Sequence, residues 1–339
     1  MVEPRDRQLL NLGVARGLLD HSVAERLYRE ALLQDRRASD LLVEHGLLSR
    51  TVVDGLLTNL ARNDVPHSVG GHRILRQIGR GGMATVYLAE QSGSGHQVAI
   101  KLMYLAIAAH SDAVSRFLRE ANILATITHP HVVGVYSSGR EGVQPYLVLE
   151  LIAGGDASQL AHANGGALNE SRAMHLIADA CAGLSALHTA RLLHRDIKPS
   201  NLLITAEGRA KLGDFGLART QDDSDRLTTT GLTVGTPTYM SPEQAAGDRT
   251  LDVRSDIYSL GATLFALTTG QPPYPGKNPV TIAAKVLSEA FPDPGLVRGS
   301  LSPAVCGIIR RATARRPSDR FATPEVMRTT LLAAAGEQP

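Results

Sequence analysis

The strongest constraint on this chain is the run His194-Arg195-Asp196-Ile197-Lys198-Pro199-Ser200-Asn201, followed by Asp214-Phe215-Gly216. A carboxylate, a lysine, an amide and a second carboxylate in this order are costly to bury separately. Together they answer the needs of one reaction. Phosphoryl transfer needs a group that orients the attacking hydroxyl, a cation on the phosphate oxygens, and oxygen ligands for Mg²⁺. Asp196 suits the first role, Lys198 the second, and Asn201 with Asp214 the third. Such a set at this spacing is hard to read as unrelated buried charges.

The rest of the chain falls into segments that could assemble such a site. Residues 1–61 hold no proline after Pro4, and Leu9, Leu12, Val23, Leu27, Ala31 and Leu32 recur at helical spacing, as one buried face requires. Gly17-Leu18-Leu19-Asp20-His21-Ser22-Val23 is echoed by Gly46-Leu47-Leu48-Ser49-Arg50-Thr51-Val52. This predicts a small helical unit of two related halves, with Ser22 and Ser49 or their neighbours as helix caps. Residues 62–72 read as a linker because of their proline, paired glycines and low apolar content. Arg73–Ile78, Ala84–Glu90 and Gln97–Met103 then read as strands, and the pattern is mostly helical from Asn169 onward. The expected class is α+β, with a β-rich lobe over 73–152 and a helical lobe over 153–335.

Two weaker signals lie in the strand-rich part. Ile78-Gly79-Arg80-Gly81-Gly82-Met83-Ala84-Thr85-Val86 is a glycine-rich hairpin that could fold over phosphates, although most such hairpins are only turns. In Val98-Ala99-Ile100-Lys101, period-two alternation puts Ala99 and Lys101 on one face, where a lysine calls for an anion or for solvent. Ser111–Thr126 reads as an amphipathic helix with Val114, Phe117, Leu118, Ala121 and Ala125 on its packed side, ended near Pro130. Glu120 lies within it and could reach Lys101; otherwise it is a surface carboxylate.

Composition excludes several classes. A formal charge of +2 over 339 residues gives no concentrated basic stripe for nucleic acid. The two cysteines, Cys181 and Cys306, lie far apart and suit a reducing compartment. No apolar run is long enough to span a bilayer, and Met1–Gln8 is too charged for a secretory signal. A cytoplasmic location is the expectation.

In these motifs and their order the chain resembles the eukaryotic-like (Hanks-type) Ser/Thr protein kinases of bacteria, from about Arg73 to Leu332. The resemblance implies a two-lobed fold that uses ATP with Mg²⁺, or Mn²⁺, to phosphorylate Ser and Thr hydroxyls of protein substrates. It implies that Ile78, Gly79, Gly81, Gly82, Val86 and Ala99 enclose the nucleotide, and that Lys101, paired with Glu120, meets its α/β-phosphates. Glu150 and Ile152 would bind adenine through their backbone, and Asp156 falls where the ribose is met. Asp196 would be the base, Lys198 its cationic neighbour, and Asn201 and Asp214 the metal ligands. Leu124, Val135, His194 and Phe215 match an apolar spine. Glu243 would pair with Arg320, and Asp256 would open a buried helix from Ile257 to Thr269. Thr236 would help position the acceptor hydroxyl.

The chain departs from the family pattern at Ala84, the third loop glycine, at Ser241, where alanine is usual, and at Ser200, where some members carry a glutamate that reads substrate arginine. None removes a catalytic group. Thr228 and Thr230 stand where related bacterial kinases carry activating phosphothreonines, which implies autophosphorylation facing Arg195, with self-association in trans; polar loops are also commonly rich in threonine. A pseudokinase scaffold is the alternative, and the presence of Lys101, Asp196, Asn201 and Asp214 argues against it. Residues 37–48 resemble part of the N-terminal domain of type II secretion and pilus ATPases, some of which bind a cyclic dinucleotide. Arg37-Ala38-Ser39 replaces their usual Arg-Leu-Gly, so docking of a partner protein is preferred over nucleotide for this unit.

Overall fold

The computed structural model describes residues 4–15, 18–61, 66–81, 84–104, 111–142, 144–214, 237–248 and 250–336. Gly82, Phe215, Gly216, Thr228, Thr230 and Thr236 lie outside them. The chain forms two compact units, Met1–Val114 with Gly139–Tyr146, and Ser115–Ser138 with Leu147–Pro339.

The first unit begins with α1 (Pro4–Ala15), α2 (His21–Gln34), α3 (Ala38–Glu44) and α4 (Arg50–Ala61). Leu9, Leu27, Ala31, Leu41 and Leu42 form part of their common core. Buried Asp6 accepts a 2.8 Å bond from the Ala38 amide, which ties α1 to the first turn of α3. Two expectations need correction. Leu32 is 51% exposed, because the narrow stripe of a short helix takes Leu27 and Ala31 and turns the next residue outward. Ser22 lies inside α2, whose N-cap is Asp20; Ser49 does cap α4, its hydroxyl accepting from the Val52 amide at 3.4 Å.

Strands β1 (Ser68–Val69), β2 (His72–Arg80), β3 (Ala84–Gln91), β4 (Gln97–Met103), β5 (Val135–Glu141) and β6 (Gln144–Leu149) form one sheet in the order β1-β2-β3-β4-β6-β5. β2 to β4 are antiparallel neighbours, and β3 pairs with β4 from Ala84↔Met103 to Glu90↔Gln97. In β4 Val98, Ala99 and Ile100 are all buried and Lys101 half-buried, so both faces of this regularly paired strand are covered. Helix α5 (Ser111–Leu124) buries Val114, Phe117, Ala121 and Leu124. It ends two residues before the expected limit, so Ala125 lies beyond the helix and is exposed.

The second unit is mostly helical: α6 (Ala157–Ala163), α7 (Glu170–Thr189), α8 (Pro242–Ala245), α9 (Val253–Thr269), α10 (Pro279–Ser288), α11 (Pro294–Val297), α12 (Pro303–Ala312) and α13 (Pro324–Ala335). A two-stranded ribbon, β7 (Leu202–Ile204) with β8 (Ala210–Leu212), is inserted among them. Helices α9 and α13 pack against α7. Residue 183 of α7 must be glycine, since a Cβ there would stand 2.3 Å from the His131 carbonyl oxygen. Helix α9 begins earlier than expected because Asp252, not Asp256, is its N-cap; the Asp252 carboxylate accepts from the Arg254 amide at 2.8 Å. Its buried Thr263 and Thr268 donate to the Ser259 and Leu264 carbonyls, so neither hydroxyl is stranded in the core. Among the described residues no helix is long and apolar enough to cross a membrane.

Candidate active site

The segment carrying the expected base leaves α7 at Ala190 and bends twice through the left-handed region, at Arg191 (φ 58°) and Arg195 (φ 63°). A left-handed conformation costs a side-chain-bearing residue on the order of 1 kcal/mol or more and persists only where neighbours impose it. Asp256, buried within α9, imposes it at Arg195. Its two carboxylate oxygens accept from the His194 and Arg195 amides, each at 2.8 Å. Burial pushes its carboxyl above the usual range, while His194 and the two amides pull it down.

His194 is buried and joins this segment to the approach to Asp214. Its Nε2 lies 3.0 Å from the Gly213 carbonyl, and its Nδ1 lies 3.3 Å from the Asp196 amide nitrogen. The carbonyl can only accept and the amide can only donate, so the ring is the neutral Nε2–H tautomer. Burial accordingly lowers its pKa.

Asp196 follows. Its Oδ2 accepts from Lys198 Nζ at 3.0 Å and from Asn201 Nδ2 at 3.1 Å. The same amide nitrogen donates to the Asp196 carbonyl at 2.7 Å. Pro199 opens the 3₁₀ turn Pro199–Asn201, which folds Asn201 back over the aspartate. The Asn201 carbonyl then accepts from the Gly213 amide at 2.9 Å. Asp214 comes next, at φ 54° with its side chain toward solvent. The structure therefore brings Asp196, Lys198 and Asn201 into direct contact and joins them through Gly213 to Asp214. With its nitrogen committed to Asp196, Asn201 presents Oδ1, and Asp214 presents a carboxylate. Such hard oxygen donors fit Mg²⁺ or Mn²⁺.

Glu150 accepts from Lys211 Nζ at 2.6 and 2.8 Å and from the Gly134 amide at 3.0 Å, so the start of the expected adenine-binding stretch is tied to the strand that leads to Asp214. Asp156 is the N-cap of α6, accepting from the Gln159 amide at 2.9 Å in a capping box. On the first unit, Ile78 and Gly79 lie on β2, Gly81 follows it, Val86 lies on β3, and Ala99 and Lys101 lie on β4. Glu120 lies on α5, and Ile152 follows β6.

Sequence reasoning missed three anchors. Asp179 of α7 accepts from Arg209 Nε and Nη2 and from the Ala210 amide, which fixes β8. Its signal was a lone carboxylate inside the apolar run Leu176–Leu184. Lys211 carried no signal beyond its nearness to Asp214. Gln244 caps its own helix with Ser241 and reaches the Arg195 carbonyl at 3.3 Å.

Glu243, the second residue of that helix, meets Arg320 at 2.6 and 2.9 Å, with Ser255 Oγ at 2.7 Å. Burial pushes its carboxyl up, but the bonds from Arg320 and Ser255 outweigh it and hold the pKa below the ordinary value. A depressed carboxyl stabilises the fold above its unfolded pKa, about 4.3, and that contribution is lost as pH falls through the folded value. Urea unfolding between pH 6 and pH 3 is therefore expected to show a steeper acid loss in wild type than in Glu243→Gln. Parallel curves would refute this.

With this geometry established, comparison with known proteins defines the class. The chain matches the protein kinase domain family over residues 72–332 and belongs to that family. Its relatives include bacterial Ser/Thr kinases, as its motifs implied. It is 37% identical over 267 residues to serine/threonine-protein kinase PknB of Mycobacterium tuberculosis, covering 77% of this chain and 42% of that protein. It is 39% identical over 275 residues to serine/threonine-protein kinase PksC of Streptomyces coelicolor, covering 78% and 49%. The crystal structure of the Mycobacterium tuberculosis PknI kinase domain matches with a TM-score of 0.65 at 27% identity, over 80% of this chain and 100% of that one. The fold class is the kinase fold, β-rich then helical, preceded here by four helices. The chain spans less than half the length of the curated relatives it matches.

Proposed function

We propose that this chain is an ATP-dependent protein serine/threonine kinase. The observation that carries the reading is the convergence of Lys198 and Asn201 on one oxygen of Asp196, with Asp214 joined to them through Gly213. Asp196 orients the acceptor hydroxyl and takes its proton. Lys198 is positioned to offset charge on the transferred group. Asn201 and Asp214 hold Mg²⁺ or Mn²⁺, which when bound neutralises phosphate charge. Ile78, Gly79, Gly81, Gly82, Val86, Ala99, Lys101, Glu150, Ile152 and Asp156 bind the nucleotide, Lys101 being aligned by Glu120; Thr236 supports the acceptor. The test is transfer of labelled phosphate from ATP to protein, with Asp196→Asn as the control. No observation favours the scaffold reading, because every group that transfer needs is present.

We also propose the domain limits 1–61, 62–72, 73–152 and 153–335, with the helical residues 1–61 acting as a docking or self-association module. A cyclic dinucleotide is the less favoured ligand for it. Cys181 and Cys306 are both buried and free, which supports a cytoplasmic setting. Activation is assigned to autophosphorylation at Thr228 and Thr230. Intact-mass analysis after ATP incubation is expected to show fewer added phosphates in the Thr228→Ala/Thr230→Ala variant, and activity several-fold lower. Equal phosphate counts and equal rates would overturn this assignment.

A further inference from the structure

The glycine-rich hairpin is held by a side chain that the reading above does not use. In the β3–β4 ladder, Ala84 faces Met103 and Thr85 faces Leu102, so Tyr104 stands one residue past the last pair, beside the loop. Tyr104 is 5% exposed and Thr85 3% exposed, and buried hydroxyls of this kind need partners. Thr85 Oγ1 donates to the Tyr104 hydroxyl at 3.4 Å, and the Tyr104 hydroxyl donates to the Gly81 carbonyl at 3.0 Å. The Gly81 amide meanwhile donates to the Ala84 carbonyl at 2.9 Å. Gly81 is thus held at both of its backbone groups.

A glycine would otherwise rotate with little restraint, which is why such loops close over ligands and also why they are entropically expensive to order. A hydroxyl that holds the Gly81 carbonyl removes part of that freedom. We propose that Tyr104 is a positioning residue for the nucleotide: backed by Thr85, it latches the Gly81 carbonyl and fixes Gly81, where β2 runs into the glycine-rich loop. The proposal rests on the reading that this loop covers ATP.

The test uses the full chain. Tyr104→Phe keeps the ring and removes only the hydroxyl. It is expected to raise the Kd for a fluorescent ADP analogue and the KM for ATP about two- to tenfold, the range one hydrogen bond supports. It should leave kcat within about twofold, as a group that acts on binding alone would. Hydrogen exchange in the peptide spanning residues 79–88 should quicken to a similar degree. Thr85→Val removes the donor behind the hydroxyl and should move the same quantities in the same direction by less. Wild-type affinity and exchange in Tyr104→Phe overturn the latch; if that variant does not fold, wild-type values in Thr85→Val overturn it. A fall in kcat with unchanged KM overturns it as well. A wild-type chain that binds no ADP analogue overturns the functional reading itself, and its titration separates that failure from failure of the latch alone.

Discussion

Replacing Asp196 with asparagine is expected to lower phosphoryl transfer about 10²- to 10⁴-fold, the usual contribution of a positioned acid–base group. The substitution keeps the shape but removes the site that can accept the hydroxyl proton. It also weakens the anchor for two neighbours, since Lys198 Nζ and Asn201 Nδ2 both donate to Asp196 Oδ2. Thermal unfolding should stay close to wild type, because the bend that carries Asp196 is held by the His194 and Arg195 amides on Asp256. Nucleotide affinity should likewise change little. Labelled phosphate transfer at saturating ATP, alongside nucleotide titration, checks both halves. Transfer within tenfold of wild type would remove Asp196 from the chemistry.

The second large effect concerns stability. Arg320 is fully buried at its side chain and uses every donor that a guanidinium owns. Nε donates to the Ala314 carbonyl, Nη1 to Glu243 and the Arg254 carbonyl, and Nη2 to Glu243 and the Arg315 carbonyl. Its guanidinium carbon also lies 5.0 Å over the Tyr258 ring. Arg320→Met strands the Glu243 carboxylate and leaves three carbonyls short of a donor. Removing one partner of a buried pair costs about 3–5 kcal/mol. At about 2–4 °C per kcal/mol for a unit of this size, the midpoint should fall by roughly 6–20 °C. Arg320→Lys should recover little, having three donors in the wrong geometry. Glu243→Leu/Arg320→Met should be more stable than Arg320→Met, since no charge is then left unpaired. Calorimetric scans of the three variants decide it, and an Arg320→Met midpoint within about 2 °C of wild type would contradict the account.

Much of this was legible in the chain. The strand-rich to helical order followed from β-branched runs and glycine turns, and the grouping of Asp196, Lys198 and Asn201 followed from a short span folded by Pro199. Part of what escaped was set by contacts distant in sequence. Asp256 read as a helix opener because local pattern cannot show that its oxygens bond residues on another element, 61 and 62 positions away. Asp156 drew a ribose role from its place in the motif order, and its sequence Asp-x-x-Gln encodes in addition the cap of α6 that the fold shows. Leu32 was counted as core because helical period gives a face but not its width.

The bend at Arg195 shows what a buried anchor makes available. A chain that must turn through positive φ usually spends a glycine there and shows nothing at the apex. Here the carboxylate beneath does the bending, so the apex can carry a long cationic side chain immediately before Asp196. The corner becomes a place from which a charge can be displayed.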